Sequence, residues 1–317
     1  MMKKRAKKTL KCLFLFSGGL DSILGVKILK LQKNIKIFGL TFKSIFFDEA
    51  LAKKMAKKIS LPLKIIDISQ DFLKILKKPK YGYGKGMNPC LDCRILMLKK
   101  AKEILKKEKF DFVATGEVLG ERPMTQNKFA LELTEKESSL KGILLRPLSA
   151  KLLKETIFEK KGLIKRELLL DLFGRGRKRQ LALAKKFKIK DYPTPSGGCI
   201  LTDLNFSKKL RELLEIFPQA KENDFKLLKL GRHFWEKKTK IVIGRNEKEN
   251  KILKKLAQKG DLLIEMKNYP GPLTLIRSYK NKKISPLALK KAKKLTQYYS
   301  PKARQKKKVE FKIIKIS

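Results

Sequence analysis

A hexapeptide of small and polar residues follows the first apolar run of the chain and precedes a segment of helical apolar periodicity. It reads Ser17, Gly18, Gly19, Leu20, Asp21 and Ser22. The two glycines lack a Cβ, so the backbone can approach an anion closely, and successive N–H groups at a helix N-terminus favour phosphate. The serines add hydroxyl donors, and the Asp21 carboxylate beside a phosphate suits a Mg²⁺ ion. The pattern predicts a phosphate-binding turn without the Gly-Lys-Ser/Thr of a Walker loop.

Three of the four cysteines are also candidates for chemistry. Cys90 and Cys93 open a predicted helix in the sequence NPCLDC, where the helix dipole is expected to lower the pKa of the thiols. Cys199 closes the turn-rich sequence PTPSGGC of residues 193–199. Cys12 lies in the first apolar run, and we interpret it as a small buried core residue.

The Cys-x-x-Cys pair leaves more than one chemistry open. A structural zinc site would need two further ligands, and both the single histidine, His233, and Cys12 are poor candidates for that role. Three cysteines without a fourth ligand suit a 4Fe–4S cluster with one open iron. They suit equally well a pair of redox thiols with a bystander cysteine.

Composition limits the partners. The chain has 317 residues and a formal net charge of +49, which favours a polyanion, most often nucleic acid, and predicts binding that weakens with salt. No stretch approaches 18 uninterrupted apolar residues, so we expect no membrane partner. The cysteine usage favours redox or metal chemistry in a reducing compartment over a disulfide scaffold, and we therefore expect cytoplasmic residence.

The elements around the hexapeptide alternate between strand and helix. Strands are predicted at residues 10–16, 35–41, 63–67 and 110–115. A helical crossover precedes the third strand and a helix over 92–108 precedes the fourth, which is typical of an α/β fold with a mostly parallel, doubly wound sheet. Ligands bind such sheets at the carboxyl ends of the strands. The hexapeptide, Thr41–Phe42 and Ala114–Gly116 are therefore expected on one rim.

The pattern of predicted strands and helices changes further along the chain. Residues 150–190 have a helical pattern, a helix is predicted near 206–217, and a boundary is placed near 236. A smaller α+β domain follows, with strands over 239–244, 261–266, 272–278 and 307–316 and helices over 246–257 and 286–299. We predict three parts: an ATP-binding domain over 1–149, an extension with Cys199 over 150–235, and an RNA-binding domain over 236–317.

The strand–SGGLDS–helix unit resembles the PP-loop ATP pyrophosphatase superfamily, whose members split ATP between the α and β phosphates and adenylate a substrate. The resemblance implies an ATP–Mg²⁺ site at the rim. The residues implied in nucleotide binding are Ser17, Gly18, Gly19, Asp21, Ser22, Phe42, Thr115 and Gly116.

The NPCLDC sequence, the later ATG turn and the distal Gly-Gly-Cys resemble the tRNA thiolation branch of that superfamily, notably the 2-thiouridylases and 4-thiouridine synthases. The resemblance implies catalytic roles for Asp21, Cys93 and Cys199, and in cluster-dependent members Cys90, Cys93 and Cys199 would hold a 4Fe–4S cluster. It also implies tRNA as substrate and a sulfur donor, either a cysteine desulfurase relay or free sulfide. One departure is Glu117, where the thiolases commonly have histidine.

The C-terminal part resembles the RNA-binding domain of the NFACT proteins. The matching pieces are residues 243–246, 249–250, 269–271 and 295–312. The resemblance implies that four basic side chains bind RNA phosphates, which position RNA without specifying its sequence: Arg245, Arg277, Lys302 and Arg304. The alternative is that Tyr298 and Tyr299 belong to a core helix and the lysines form a solvated face. The basic cluster over 174–179 is likewise either a phosphate contact or a solvated charge run.

These features favour an ATP-dependent tRNA sulfurtransferase that adenylates a uridine carbonyl oxygen and replaces it with sulfur. Two alternatives stay open. One is another PP-loop adenylating enzyme that forms an amide or amine bond. The other is an RNA-binding or ribosome-associated protein with a vestigial ATPase domain.

Overall fold

The computed structural model describes residues 9–192, 199–279 and 283–317. The chain forms two compact units, one that ends at Thr202 and one over Asp203–Ser317. Each unit has its own five-stranded sheet. The finer division at 149/150 and 235/236 stays a prediction.

The first unit is an α/β domain, which confirms the predicted fold class. Its strands run parallel in the order β3-β2-β1-β4-β5. The strands are β1 (Leu10–Leu15), β2 (Ile35–Lys43), β3 (Leu63–Asp67), β4 (Phe112–Thr115) and β5 (Leu144–Leu145). The helices are α1 (Leu20–Leu29), α2 (Ala50–Lys58), α3 (Ser69–Lys77), α4 (Cys90–Lys107), α5 (Lys128–Glu137), α6 (Ile157–Lys160) and α7 (Lys178–Lys186).

Strand β1 occupies the centre of this sheet because its side chains are apolar on both faces. Cys12 and Phe14 pack into the core on one face, whereas Leu13 and Leu15 pack into the core on the other. A continuous apolar run of this kind is typical of a parallel strand covered by helices on both sides. Cys12 is fully buried, which confirms its interpretation as a core residue.

The helical pattern predicted over residues 150–190 is wrong for residues 165–173. Only a short 3₁₀ turn forms there, over Arg166–Leu168. The residues after this turn instead form backbone hydrogen bonds with a distant segment. The Leu170 carbonyl accepts from the Lys151 N–H at 3.0 Å, and the Leu172 N–H donates to the Leu148 carbonyl at 2.8 Å. Apolar periodicity indicates which side chains are buried, but it does not distinguish a helix from an irregular segment buried on one side.

The second unit has an antiparallel sheet in the order β10-β8-β9-β7-β6. Its strands are β6 (Arg232–Glu236), β7 (Thr239–Ile243), β8 (Leu262–Met266), β9 (Thr274–Ser278) and β10 (Phe311–Lys315). Its helices are α8 (Leu204–Ile216), α9 (Glu222–Leu228), α10 (Glu247–Leu256) and α11 (Pro286–Tyr298). Apolar residues of β7 and β9 pack on both faces of the sheet, and this unit contains the strands and helices that the sequence predicts for residues 236–317.

Two basic side chains are buried on one face of the second sheet. The Arg277 guanidinium contacts the carboxylates of Asp261 at 2.7 Å and Asp224 at 2.8 Å. Lys240, the cross-strand neighbour of Arg277, is 0% exposed. Its ammonium lies 4.3 Å from the centre of the Trp235 ring and has no hydrogen-bond partner in the described structure. Burial lowers the pKa of Lys240 to about 7.

In the described parts of the chain, every helix is too short or too polar to cross a bilayer.

Replacing Lys240 with methionine should stabilise the second unit at pH 7 by about 1–4 kcal/mol, because a buried cation without a hydrogen-bond or ion-pair partner opposes folding. The unfolded chain has a lysine pKa near 10.5 and binds more protons than the folded chain from about pH 7 upwards. Wild-type stability should therefore rise with pH across that window, and the rise should be smaller in the variant. Urea unfolding followed by the fluorescence of Trp235, the single tryptophan, measures both effects.

The matched control is Lys255→Met, since Lys255 is an exposed lysine of the same unit. It should leave both the stability and its pH dependence close to those of the wild type. Equal behaviour of the two variants would contradict the assignment of Lys240 as a destabilising buried cation.

Candidate active site

The SGGLDS loop connects the carboxyl end of β1 to the N-terminus of α1, as the sequence predicts. Gly18 has a φ of +78°, and a Cβ there would lie 2.8 Å from the Leu51 carbonyl oxygen of α2. The Ser17 hydroxyl accepts a hydrogen bond from the Gly19 N–H at 3.3 Å, and the Ser22 hydroxyl donates to the Gly19 carbonyl at 2.7 Å. The loop is therefore held as a tight turn whose backbone opens α1, the arrangement that favours a phosphate.

The carboxyl end of β4 lies directly against this loop. A Cβ on Gly116 would lie 2.7 Å from the Asp21 carbonyl oxygen and from the Ser22 nitrogen. Only glycine permits this approach without moving the loop. The contact explains why an Ala-Thr-Gly sequence ends the strand that neighbours β1 in the sheet.

Two other predicted nucleotide residues have side chains engaged inside the protein. Thr115 is buried, and its hydroxyl donates to the Glu117 carboxylate at 2.9 Å. Phe42 is buried in the core cluster of Leu13 and Leu40. Both residues end strands at the rim that holds the loop, and their contact with a nucleotide stays a prediction.

Asp21 is the electrostatic centre of the loop. Its Oδ1 atom is buried and has no hydrogen-bond partner in the described structure. Burial raises the pKa of the Asp21 carboxyl, and the positive charges of Arg177 and Arg122 partly oppose that rise. Neither arginine was predicted to lie near the loop. The carboxylate is placed to accept a cation, which fits Mg²⁺ at a phosphate site.

The cysteine site forms at the N-terminus of α4. Cys90 is the first residue of that helix and Cys93 lies one turn further. The Met87 N–H donates to the Leu201 carbonyl at 3.0 Å, so the segment that carries Cys199 lies beside the start of the helix. The three thiols influence one another electrostatically. The structure thus brings together the three cysteines that the sequence singled out.

The expected lowering of the thiol pKa at this helix end is wrong. Burial raises the pKa of Cys90 and of Cys199, and it raises the pKa of Cys93 to about 12. The positive charges of Arg122 beside Cys90 and of Arg94 beside Cys93 oppose this effect without overcoming it. Removal of the thiols from water outweighs the helix dipole, so all three are protonated near neutral pH.

Glu117, where the thiolases commonly have histidine, is a buried anchor. It is 1% exposed, and its carboxylate is 2.9 Å from both the Arg94 and the Arg146 guanidinium groups. Burial alone would raise the pKa of Glu117, but the charges of Arg94 and Arg146 and the hydrogen bonds from Arg146 and Thr115 lower it overall. Because Arg94 follows Cys93, the carboxylate ties the cysteine helix to the end of β4.

The described residues contain no preformed metal centre that would support the cluster hypothesis. Among the described residues, no group of three or more His, Cys, Asp or Glu side chains is arranged to hold a metal ion. The ligand set of Cys90, Cys93 and Cys199 therefore stays a prediction. The predicted rigid turn before Cys199 lies in residues 193–198, outside the described residues.

The basic residues predicted to bind RNA in the second unit divide into two groups. The prediction that Arg277 binds phosphate is wrong, because this side chain is buried and paired with Asp261 and Asp224. Lys302 and Arg304 are exposed. Arg245 lies against the Glu249 carboxylate with its side chain half exposed.

The two tyrosines of α11 and its C-cap differ in the same way. Tyr298 is 53% exposed, and the Arg304 guanidinium lies 4.9 Å from its ring centre. Tyr299 instead packs with the core beside Phe234, and the Arg232 guanidinium lies 4.5 Å from the centre of its ring. The core-helix interpretation is thus correct for Tyr299, whereas Tyr298, Lys302 and Arg304 form an exposed aromatic and basic surface.

Alkylation of the cysteines by iodoacetamide should be slow at pH 7.5 and should accelerate as the pH rises above 9. The thiolate is the reactive form, and the raised pKa values keep it scarce. Cys93, whose pKa is about 12, should be modified more slowly than Cys90 and Cys199. Mass spectrometry of peptides after timed quenching measures each rate, and rapid labelling of Cys93 at pH 7 would contradict the prediction.

Replacing Gly116 with alanine should weaken ATP binding by about tenfold or more while the sheet still folds. The added methyl group would meet the backbone of Asp21 and Ser22, so the loop must shift away from its phosphate-binding geometry. Titration calorimetry with ATP and Mg²⁺, together with far-UV circular dichroism, measures the two properties. Wild-type ATP affinity in the variant would contradict the prediction.

Comparisons with known proteins agree with both resemblances drawn from the motifs. The chain is 30% identical over 104 residues to the tRNA-specific 2-thiouridylase MnmA 1 of Fusobacterium nucleatum. The match covers 32% of this chain and 28% of that relative, so the chain spans less than a third of the length of the curated relative that it matches. A family model described as the NFACT protein RNA binding domain matches residues 231–317.

Two solved structures are among the matches. The U34-tRNA thiolase NcsA from Methanococcus maripaludis, with its [4Fe-4S] cluster, has 19% identity and a TM-score of 0.36, and the match covers 72% of this chain and 74% of that one. A 4-thiouridine synthetase in complex with RNA and ATP has 18% identity and a TM-score of 0.37, with 68% and 53% covered.

A second family model matches the first unit. A family model described as the tRNA methyl transferase HUP domain matches residues 10–203, which include the SGGLDS loop, the Ala-Thr-Gly turn and all four cysteines. Since this model spans more than half of the chain, the chain belongs to the tRNA methyl transferase HUP domain family.

Proposed function

We propose that the chain is an ATP-dependent tRNA sulfurtransferase that converts a uridine into a thiouridine. The observation that carries the proposal is a pair of neighbouring residues just beyond β4 that contact both sites. Gly116 lies against the backbone of the SGGLDS loop, and the Glu117 carboxylate pairs with Arg94 near the start of the cysteine helix. A nucleotide site and a thiol site positioned by adjacent residues suit a reaction in which activation and sulfur transfer occur on the same carbonyl group.

Activation takes place at the SGGLDS loop. The uridine carbonyl oxygen attacks the α-phosphorus of ATP, the bond to the β-phosphate oxygen breaks, and pyrophosphate leaves. The loop N–H groups hold phosphate oxygens, and Asp21 would hold Mg²⁺, which neutralises charge that develops on the phosphates. The adenylated oxygen is a far better leaving group than the carbonyl oxygen of free uridine.

Sulfur transfer takes place at the N-terminus of α4. We assign Cys199 as the persulfide carrier, whose terminal sulfur attacks the activated uridine carbon as AMP leaves. The Cys93 thiol then attacks the Cys199 sulfur, which releases the thiouridine and leaves a Cys93–Cys199 disulfide. A dithiol reductant regenerates both thiols. A donor that carries persulfide sulfur, such as a cysteine desulfurase relay, then transfers its terminal sulfur to Cys199 and is left as a thiol, so the atoms and electrons balance. No step passes through an iron–sulfur cluster.

The raised thiol pKa values fit this order of events. A protonated thiol is a poor nucleophile, so the free protein does not attack adventitious electrophiles at neutral pH. The half-buried thiols become competent only when a persulfide is loaded and an adenylated substrate is present. Arg122 and Arg94 lie where they would stabilise a sulfur anion on Cys90 and Cys93 as it develops.

Binding of tRNA would use the charge of the whole chain and the exposed surface of the second unit. Tyr298 offers a ring for base stacking, and Lys302 and Arg304 offer cations for phosphates, a combination typical of RNA recognition. Because phosphate contacts position RNA without reading its sequence, the choice of uridine would lie in the first unit.

Thionucleosides in tRNA, measured by mass spectrometry with and without the gene, test the proposal. One thiouridine should disappear in the deletion strain and return with the wild-type gene. Cys93→Ala and Cys199→Ala should restore less than about 1% of it. Cys12→Ala, the matched control in the core, should restore it.

Four other outcomes would contradict the proposal or favour an alternative function or mechanism. Unchanged thionucleosides in the deletion strain would contradict the sulfur chemistry. If ATP–pyrophosphate exchange then survived in Cys93→Ala and Cys199→Ala, the protein would be an adenylating ligase. RNA binding without any release of AMP would indicate a vestigial ATPase domain. Iron bound by anaerobically purified protein, and required for activity, would replace the persulfide route with the cluster.

A further inference from the structure

The arginine-rich segment of residues 173–179 pairs through its backbone with the chain just beyond β4. Phe173 forms a parallel bridge with Leu119, and the Gly174 N–H donates to the Leu119 carbonyl at 2.7 Å. Leu119 lies three residues beyond Gly116, which contacts the loop itself. The segment whose basic cluster the sequence leaves open, as either a phosphate contact or a solvated charge run, is thus fixed beside the rim of the sheet.

The arginines of this segment differ in their surroundings. Arg175 is exposed, and Arg179 pairs at the surface with Asp171. Arg177 is half-buried, and its Nε atom is fully buried without a hydrogen-bond partner in the described structure. A buried guanidinium nitrogen without an acceptor is costly unless a ligand supplies one.

The charges around Arg177 show what kind of ligand that would be. Arg177 acts electrostatically on Asp21 and on Glu121, and Arg122 acts on the same two carboxylates. In the described structure none of these four side chains forms an ion pair or a side-chain hydrogen bond with another, and Asp21 Oδ1 also lacks a partner. A carboxylate that needs a cation and a guanidinium that needs an anion are both satisfied by a magnesium–triphosphate group.

We propose that Arg177 binds phosphate oxygens of the nucleotide held by the SGGLDS loop. The inference rests on the proposed function, in that the nucleotide is the ATP consumed there. The planar guanidinium donates to phosphate oxygens with fixed geometry, while the loop N–H groups would hold other phosphate oxygens and Asp21 would hold the accompanying Mg²⁺. Two segments that are far apart in sequence therefore build one phosphate site.

Titration calorimetry of the full chain with ATP and Mg²⁺ tests the proposal. Arg177→Ala should weaken ATP binding about tenfold or more, as expected for the loss of a charge-assisted hydrogen bond. Arg175→Ala, the matched control two residues away, should change it less than about twofold. Arg177→Lys should recover only part of the loss, because an ammonium cannot reproduce the fork of the guanidinium group.

Two further measurements separate the outcomes. Thermal unfolding without nucleotide should be similar in Arg177→Ala, Arg177→Lys and the wild type, and a large loss of stability in both variants would indicate a structural role that overturns the proposal. Wild-type ATP affinity in Arg177→Ala would overturn it and leave the proposed function intact. Failure of the wild type itself to bind ATP would overturn both.

Discussion

The site depends on one buried carboxylate. Glu117 lies just beyond the end of β4, where Gly116 contacts the nucleotide loop, and it pairs with Arg94 of the cysteine helix and with Arg146. Removing one partner from a buried ion pair typically costs about 3–5 kcal/mol, because a charge is left without compensation inside the protein. The loop and the cysteine helix are therefore positioned from the same short segment.

Burial sets the reactivity of the cysteines. A thiol at a helix N-terminus is commonly acidic, but loss of hydration raises the pKa of Cys90 and Cys93 despite the neighbouring guanidinium groups, and it also raises the pKa of Cys199. Such thiols are protected from oxidation and alkylation, since both reactions need the thiolate. Under the proposed function, a sulfur carrier would gain from this protection, because the reactive persulfide forms only after sulfur is loaded.

In a chain with so many basic residues, the sequence does not indicate which of those in the second unit are buried and which are exposed to bind RNA. Arg277 was predicted to bind phosphate, yet it holds Asp224 and Asp261 in the interior. Its strand neighbour Lys240 is buried with a pKa of about 7. Alternation along β7 and β9 decides which side chains face the helices, and the surface that suits RNA is left to residues such as Lys302 and Arg304.

The sequence by itself determined the parallel sheet, the SGGLDS turn at the end of β1 and the cysteines as a group, because these follow from local patterns: apolar runs, glycines that a tight turn requires, and thiols at a helix start. It did not determine the path of residues 165–173, the raised thiol pKa values, or the approach of Arg122 and Arg177 to Asp21. Those depend on burial and on partners distant in the chain. Local patterns specify elements, whereas only the packed structure specifies which charges lose water and which side chains meet.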